Sequence, residues 1–224
     1  MVLVAGIDEA GRGAVIGPLV IAGVSIEPKD EAKLKAMNVR DSKLVSPGRR
    51  KKLAGAIERI AKDIVIIKIE ACKIDTYRKQ GINLNKLEAM KMGDVANLLK
   101  PDRIYVDSPD VKPERLKDFL SKIIRHKPEL IVEHKADTRY RVVGAASIIA
   151  KVSRDGEIEK LRKKYGVRGS GYPSDPRTIG WLKELMEKKR EFPECVRRTW
   201  ETIKELEKHK KQSKLGKWFG IKRK

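Results

Sequence analysis

The sequence predicts an α/β domain over residues 1–200, a mixed five-stranded sheet flanked by helices, followed by a basic helical extension over 201–224. Three observations predict it. Short apolar runs rich in β-branched residues, at 2–7, 16–26 and 64–69, come early in the chain. Helical and strand patterns then alternate, the order expected when strands are joined by crossovers. Finally, apolar strands repeatedly run into an aspartate, at Asp8, Asp107 and Asp137.

Taken in order, residues 2–7 read as a buried strand that ends in the adjacent carboxylates Asp8 and Glu9. Gly11-Arg12-Gly13 supplies a bend, and 16–26 reads as the antiparallel partner across it. Residues 28–38 are charged and at most helical. A polar loop, Asp41-Ser42-Lys43-Leu44, leads to Ser46-Pro47, which suits a helix start; the helix over 47–63 places Leu53, Ile57 and Ile60 on one face. The run 64–69 is the third strand, 74–81 a connection, and Asn83 the cap of a helix to Leu99. A fourth strand at 103–107, a helix over 113–125 and a fifth strand at 129–134 follow. The helix over 140–165 opens with the small, apolar stretch RVVGAASIIAKV, suited to burial against a sheet. Three strands can meander antiparallel, whereas the fourth and fifth, reached through helices, run parallel to the first. Asp8, Asp107 and Asp137 then all lie at the C-terminal ends of parallel strands, where open α/β sheets bind ligands.

Composition narrows the partners. The formal net charge is +21, from 52 Lys and Arg against 31 Asp and Glu, which points to a polyanion, nucleic acid before membrane. No apolar run approaches the ~20 residues of a membrane span. Met1 leads directly into the first strand without a basic leader, so no secretory signal and a cytoplasmic location are expected. Cys72 and Cys195 read as unpaired thiols.

A carboxylate pair closing a buried strand is costly unless a positive charge sits on it. A divalent cation held by oxygen ligands is the usual solution; a tight hairpin with both carboxylates in water is the alternative. Oxygen ligands without histidine or cysteine select Mg²⁺ or Mn²⁺. Successive side chains on a regular strand face opposite ways, so Asp8 is the more direct ligand and Glu9 the less direct.

The stretch DEAGRG, residues 8–13, resembles the signature of the type 2 ribonucleases H, the ribonuclease HII family of the archaeal type. Downstream, DSK at 41–43, AASIIAKVSRD at 145–155, GSGYPSDP at 169–176 and FPECVRRTW at 192–200 resemble that family's further motifs in order. The resemblance spans roughly residues 2–200 and implies a ribonuclease H-like fold. It implies an endoribonuclease that hydrolyses the RNA strand of RNA/DNA hybrids and cuts on the 5′ side of ribonucleotides embedded in duplex DNA. Asp8, Glu9, Asp107 and Asp137 would hold two Mg²⁺ or Mn²⁺ ions, and the products would carry 3′-hydroxyl and 5′-phosphate ends. It further implies that Gly11, Arg12 and Gly13 read the 2′-hydroxyl through their backbone, that Lys43 contacts phosphate, and that Tyr172 stacks beside the ribose–deoxyribose junction. Lys151, Arg154 and Asp155 fit either a surface ion network or a role in orienting the site. Relatives of the ribonuclease HIII subgroup carry an extra N-terminal domain, which disfavours that subgroup for a chain starting at its first strand.

In the extension, Gln212, Leu215, Trp218 and Phe219 resemble the sliding-clamp-binding motif of replication and repair proteins. One helical turn would set Leu215, Trp218 and Phe219 on one side as an apolar plug. A frayed tail folding back on the domain is the alternative. A monomer is expected. Two further readings compete with the hybrid nuclease. A non-catalytic basic binding domain gains nothing from clustered acids at its binding face, and a DNA nuclease of the same superfamily has no use for a 2′-hydroxyl loop.

Overall fold

The computed structural model describes residues 2–39 and 45–218, with side chains through residue 210. Five strands, β1 (Val4–Ala10), β2 (Leu19–Ile26), β3 (Asp63–Ile69), β4 (Arg103–Asp107) and β5 (Glu129–Glu133), form one sheet in the order β3-β2-β1-β4-β5. The pairs β1–β2 and β2–β3 are antiparallel, and β1–β4 and β4–β5 are parallel. The expected meander and crossovers therefore form, with β1 at the centre of the sheet.

Two apolar layers cover it. Ala5, Ile7, Leu19 and Ile21 pack on the face of α4 (Leu84–Leu99) and α5 (Pro113–Ile123). Ala10, Val20, Ala22 and Val24 pack on the other face, against α2 (Pro47–Ile60) and α7 (Arg141–Tyr165), with α1 (Glu31–Ala36) at its margin. The small residues that open α7 let it lie almost on the backbone of β1. A Cβ at Gly6 would stand 2.4 Å from the main chain of Val142 and Val143. No real side chain fits there, so glycine at position 6 sets the depth of α7.

Several boundaries differ from expectation. Residues 74–81 are not a connection: α3 (Ala71–Lys79) forms there. Its buried Asp75 accepts the N–H groups of Arg198 and Thr199 at 2.7 and 3.1 Å and the Thr199 hydroxyl at 2.6 Å, so a partner far along the chain holds this turn. The helix that starts at Pro47 ends at Ile60, and Asp63 already belongs to β3. Gly17, at φ +89°, turns the chain before β2, and Ile16 pairs with Val196 instead. Past the fifth strand, α6 (Ala136–Arg139) is a single turn, and α8 (Pro176–Glu187) is capped by Asp175, which accepts the Arg177 N–H at 3.0 Å.

A third apolar cluster joins Val15, Ile16, Val167, Trp181, Leu182 and Val196 to Ile203 and Leu206 of α9 (Glu201–Trp218). The first turns of the C-terminal helix thus pack onto the body of the domain.

Candidate active site

The site begins with strand register. The β1–β4 ladder runs from Val4↔Arg103 to Ile7↔Val106 and stops there, so Asp8 and Asp107 stand side by side where the two parallel strands part. Neighbouring strands lie about 4.8 Å apart, which brings two carboxylates together at the edge of the core. Asp8 is 4% exposed. It accepts the Glu9 N–H at 2.7 Å and a hydrogen bond from Ser147 of α7. Burial, and then the charge of Asp107, push its carboxyl up to about 7; Ser147, the Glu9 amide and nearby Lys151 offset this only in part. Lys151 donates to Ser147 at 2.9 Å, so α7 presents a small polar cluster to this end of the sheet.

Glu9 follows Asp8 in a strand whose pairing stays regular through Ala10↔Val20, yet its carboxyl interacts directly with the Asp8 side chain. At the strand's very end it senses both partners. Its carboxyl is held well above the usual range by burial, Asp8 and Asp107, with Arg12 opposing, and its Oε2 is buried without a partner among the described residues. Asp107 accepts the Ala136 N–H at 2.8 Å. That bond ties the end of β4 to α6, whose first turn carries Asp137, 7% exposed. Asp8, Glu9 and Asp107 are therefore electrically coupled, and Asp137 is anchored one residue beyond an amide bonded to Asp107.

Among the described residues, no three acidic, histidine or cysteine side chains already close around one point as a metal cage. The donor set nonetheless fits a hard divalent cation. It is all oxygen, one buried oxygen of Glu9 lacks a partner among the described residues, and the charge of Asp107 raises the carboxyls of Asp8 and Glu9, which are the conditions a cation relieves. His134, at the end of β5, turns away from this role: its Nε2 donates to the Val111 carbonyl at 3.3 Å.

Beside the carboxylates lies the glycine loop. Gly11 adopts φ +87°, and a Cβ there would stand 2.6 Å from Nε of Arg154, whereas the corresponding position at Gly13 has no described residue within 4 Å. Arg12 turns its side chain toward α4, where it donates to Glu88 and, at 2.8 Å, to Asn85. Asn85 in turn donates to Asp110 at 2.9 Å, linking the loop to the segment after β4. The Val15 and Ile16 N–H groups donate to the Gly171 carbonyl at 2.8 and 3.1 Å, so the GSGYPSDP segment is fastened to the glycine loop. Arg154, on α7 and 4% exposed, donates to the Ser170 carbonyl at 2.9 Å and lies 4.4 Å from the centroid of the Tyr172 ring. It is a buried strut between the two loops. Asp155, one residue on, instead pairs with Arg50 at 3.1 Å.

The largest side chain among those fully buried is Arg197. It donates to the carbonyls of Gly11, Arg12 and Gly17 at 2.7, 2.9 and 3.1 Å, and its guanidinium lies 4.7 Å from the Trp200 ring centroid. Burial lowers its pKa to about 9, which leaves it charged at neutral pH. Sequence reasoning assigned it no role. It is one of 52 basic residues, and only burial sets it apart. Lys43 and Phe219 lie outside the described residues; Gln212, Leu215 and Trp218 fall within the backbone of α9, with side chains outside the description.

Acidic groups at the open end of a ribonuclease H-like sheet, in a chain of strongly basic charge, define a nuclease. Known proteins specify it further. The family model "Ribonuclease HII" matches residues 5–203. Ribonuclease HII of Pyrococcus horikoshii is 47% identical over 214 residues, covering 95% of this chain and 96% of that protein. The crystal structure of the ribonuclease H2 from P. horikoshii OT3 superposes with a TM-score of 0.87 at 46% identity, over 94% of this chain and 99% of the other. The RNase HII of a PCNA:RNase HII complex from Archaeoglobus fulgidus gives 0.83 at 46% identity, over 89% and 96%. Bst-RNase HIII, solved with Mn²⁺, gives 0.78 at 24% identity, over 94% and 71%, a likeness of fold alone. The chain belongs to the ribonuclease HII family, nucleases that cleave the RNA of RNA/DNA hybrids.

Proposed function

We propose that the protein cuts the RNA strand of hybrids and the 5′ side of single ribonucleotides embedded in duplex DNA, leaving 3′-hydroxyl and 5′-phosphate ends. The observation that carries this reading is the register that sets Asp8 beside Asp107, with a Glu9 oxygen lacking a partner among the described residues at the same strand end and a glycine loop alongside. Asp8, Glu9, Asp107 and Asp137 would hold Mg²⁺ or Mn²⁺, two ions per site. When bound, such a pair supplies Lewis-acid activation of water and neutralises the charge on the leaving oxygen of an in-line displacement. The chain's own residues do the positioning. Ser147 and the Glu9 amide orient Asp8, and the Ala136 amide orients Asp107. Tyr172, braced by Arg154, offers an aromatic ring to a sugar or base. The basic surface neutralises phosphates whatever their sugar.

The deciding experiment is cleavage, with Mg²⁺, of a DNA duplex containing one ribonucleotide, against the all-DNA duplex, with both product ends mapped. A cut 5′ to the ribonucleotide and none in the control is the expected result; equal cutting of both would make the protein a DNA nuclease and remove the reading.

The tail supports a second partner. The spacing Gln212-x-x-Leu215-x-x-Trp218-Phe219 matches a sliding-clamp plug, and a 46%-identical relative was solved as a complex with PCNA. We propose that residues 212–219 dock this enzyme on a trimeric clamp, which would place it at sites of replication and repair.

A further inference from the structure

A guanidinium without a salt-bridge partner among the described residues is an unusual thing to bury, because desolvation must be offset chiefly by hydrogen bonds. Arg197 is buried in this way, and three of its donors go to main-chain carbonyls of one loop, Gly11, Arg12 and Gly17. The backbone around it is equally committed. The Arg197 N–H donates to the Val15 carbonyl at 2.9 Å, the Gly17 N–H donates to the Cys195 carbonyl at 2.8 Å, and Ile16 bridges Val196. Residues 195–197 thus form a short backing strip behind residues 11–17, and Arg197 is its one charged contact with the bend.

The consequence follows from peptide geometry. In a trans peptide the C=O and the N–H of one unit point in opposite directions. The Gly11 carbonyl shares its unit with the Arg12 N–H, and the Arg12 carbonyl with the Gly13 N–H. Drawing both carbonyls inward onto Arg197 turns both N–H groups outward. Among the described residues neither N–H donates to a protein acceptor, and nothing crowds the Cβ position of Gly13 within 4 Å. Two adjacent donors with no protein acceptor among the described residues, held from behind by a fixed charge, make a preorganised acceptor site on the outer side of the loop.

We propose that Arg197 is the positioning residue that sets the peptide planes of the glycine loop, and so governs discrimination between ribose and deoxyribose from outside the substrate site. The proposal rests on the reading that this loop recognises the 2′-hydroxyl. Arg197 touches neither substrate nor metal ligand, and acts through the Arg12 and Gly13 amides.

The test uses the full-length protein with Arg197→Lys, which keeps the charge but loses the planar fork, and Arg197→Met, which keeps length without charge. Three quantities are measured: amide exchange over residues 11–17, single-turnover cleavage of the one-ribonucleotide duplex, and affinity for the all-DNA duplex. For Arg197→Lys the expected result is faster loop exchange and a roughly 10²-fold slower single-turnover rate, the scale of a small misplacement of a reacting group. Affinity for the all-DNA duplex should stay within about twofold, because phosphate contacts supply it. A merely structural residue would lower rate and DNA affinity together in proportion to the folded fraction, and that outcome overturns the proposal. Should both variants fail to fold, Trp200→Phe, which trims the ring stacked on Arg197, should reproduce the selective loss at a few-fold; no selectivity there overturns it equally. In the wild type without metal, the ribonucleotide duplex should protect the Arg12 and Gly13 amides and the all-DNA duplex should not. Absence of that protection refutes the ribose reading, and with it the role given to Arg197. Unchanged loop exchange in Arg197→Lys refutes the holding contact alone.

Discussion

Substituting Asp8 by asparagine should raise the melting temperature in metal-free buffer while abolishing cleavage, and the size of the rise should depend on pH. Asp8 has an ordinary pKa of 3.8 that burial and Asp107 raise to about 7 in the folded protein. Between those two values the folded state keeps a proton that the unfolded chain has released. Stability is therefore greatest below the unfolded value, falls as pH rises through that window, and is fully reduced above the folded value. At about 1.4 kcal/mol for each tenfold change in proton affinity, the rise corresponds to ~4 kcal/mol, an upper bound because water penetrates a site at the end of a sheet. A chain of 224 residues has an unfolding entropy near 0.5 kcal/mol/K, so the bound is about 8 °C. The substituted asparagine carries no charge at any pH. In EDTA the variant should melt several degrees above wild type at about pH 8 and converge with it near pH 4. Millimolar Mg²⁺ should then stabilise the wild type and leave the variant little changed, because only a ligand that favours the folded state adds stability. Thermal melts of both proteins across pH, with EDTA or Mg²⁺, measure all of this. A wild-type-to-variant difference that is constant with pH, or equal stabilisation of both by Mg²⁺, would refute the account of Asp8 as a buried, cation-seeking carboxylate.

Asp107→Asn and Asp137→Asn should each remove cleavage while leaving the circular dichroism spectrum intact; near wild-type turnover of Asp107→Asn with Mg²⁺ would mean that the metal site is wrongly assigned. Tyr172→Ala should slow cleavage of a single embedded ribonucleotide more than it weakens binding to plain duplex, and equal losses would reduce Tyr172 to a loop residue. Gly6→Ala should destabilise the fold by about 1–3 kcal/mol or more, read from chemical denaturation, because the new methyl meets the backbone of Val142 and Val143 rather than a movable side chain. Deleting residues 212–224 should abolish binding to a trimeric clamp in calorimetry yet leave cleavage of short oligonucleotides nearly unchanged; retained clamp binding would place the contact elsewhere.

The sheet was legible because its strands are bounded by turn residues and rich in β-branched apolar residues, so apolar runs mark them directly. The parallel placement of β4 followed from the helix that precedes it, and that placement aligned Asp8 with Asp107. Helix α3 was not legible. Its sequence, ACKIDTYRK, is polar, and its anchor is a pair of amides at residues 198 and 199, more than a hundred positions away. Glu9 was legible as a carboxylate at a strand end; its direct contact with the Asp8 side chain, and an oxygen without a partner among the described residues, emerged only from the packing around it.

What the sequence by itself determined is the type of chemistry: carboxylates closing apolar strands, glycines flanking Arg12, and a surplus of cations for a polyanion. Those features are local, and local propensity and composition record them. Which side chains act from behind the site was decided by tertiary structure alone. Arg154 and Arg197 are written in the same letter as many exposed arginines of this chain. One becomes a strut beneath Tyr172 and the other a clamp on the Gly11–Gly17 bend only because α7 and the C-terminal segment fold over them and leave carbonyl oxygens as their partners. Burial turns an interchangeable surface charge into a fixed one, and burial is a property of contacts between distant segments that no short stretch of sequence contains.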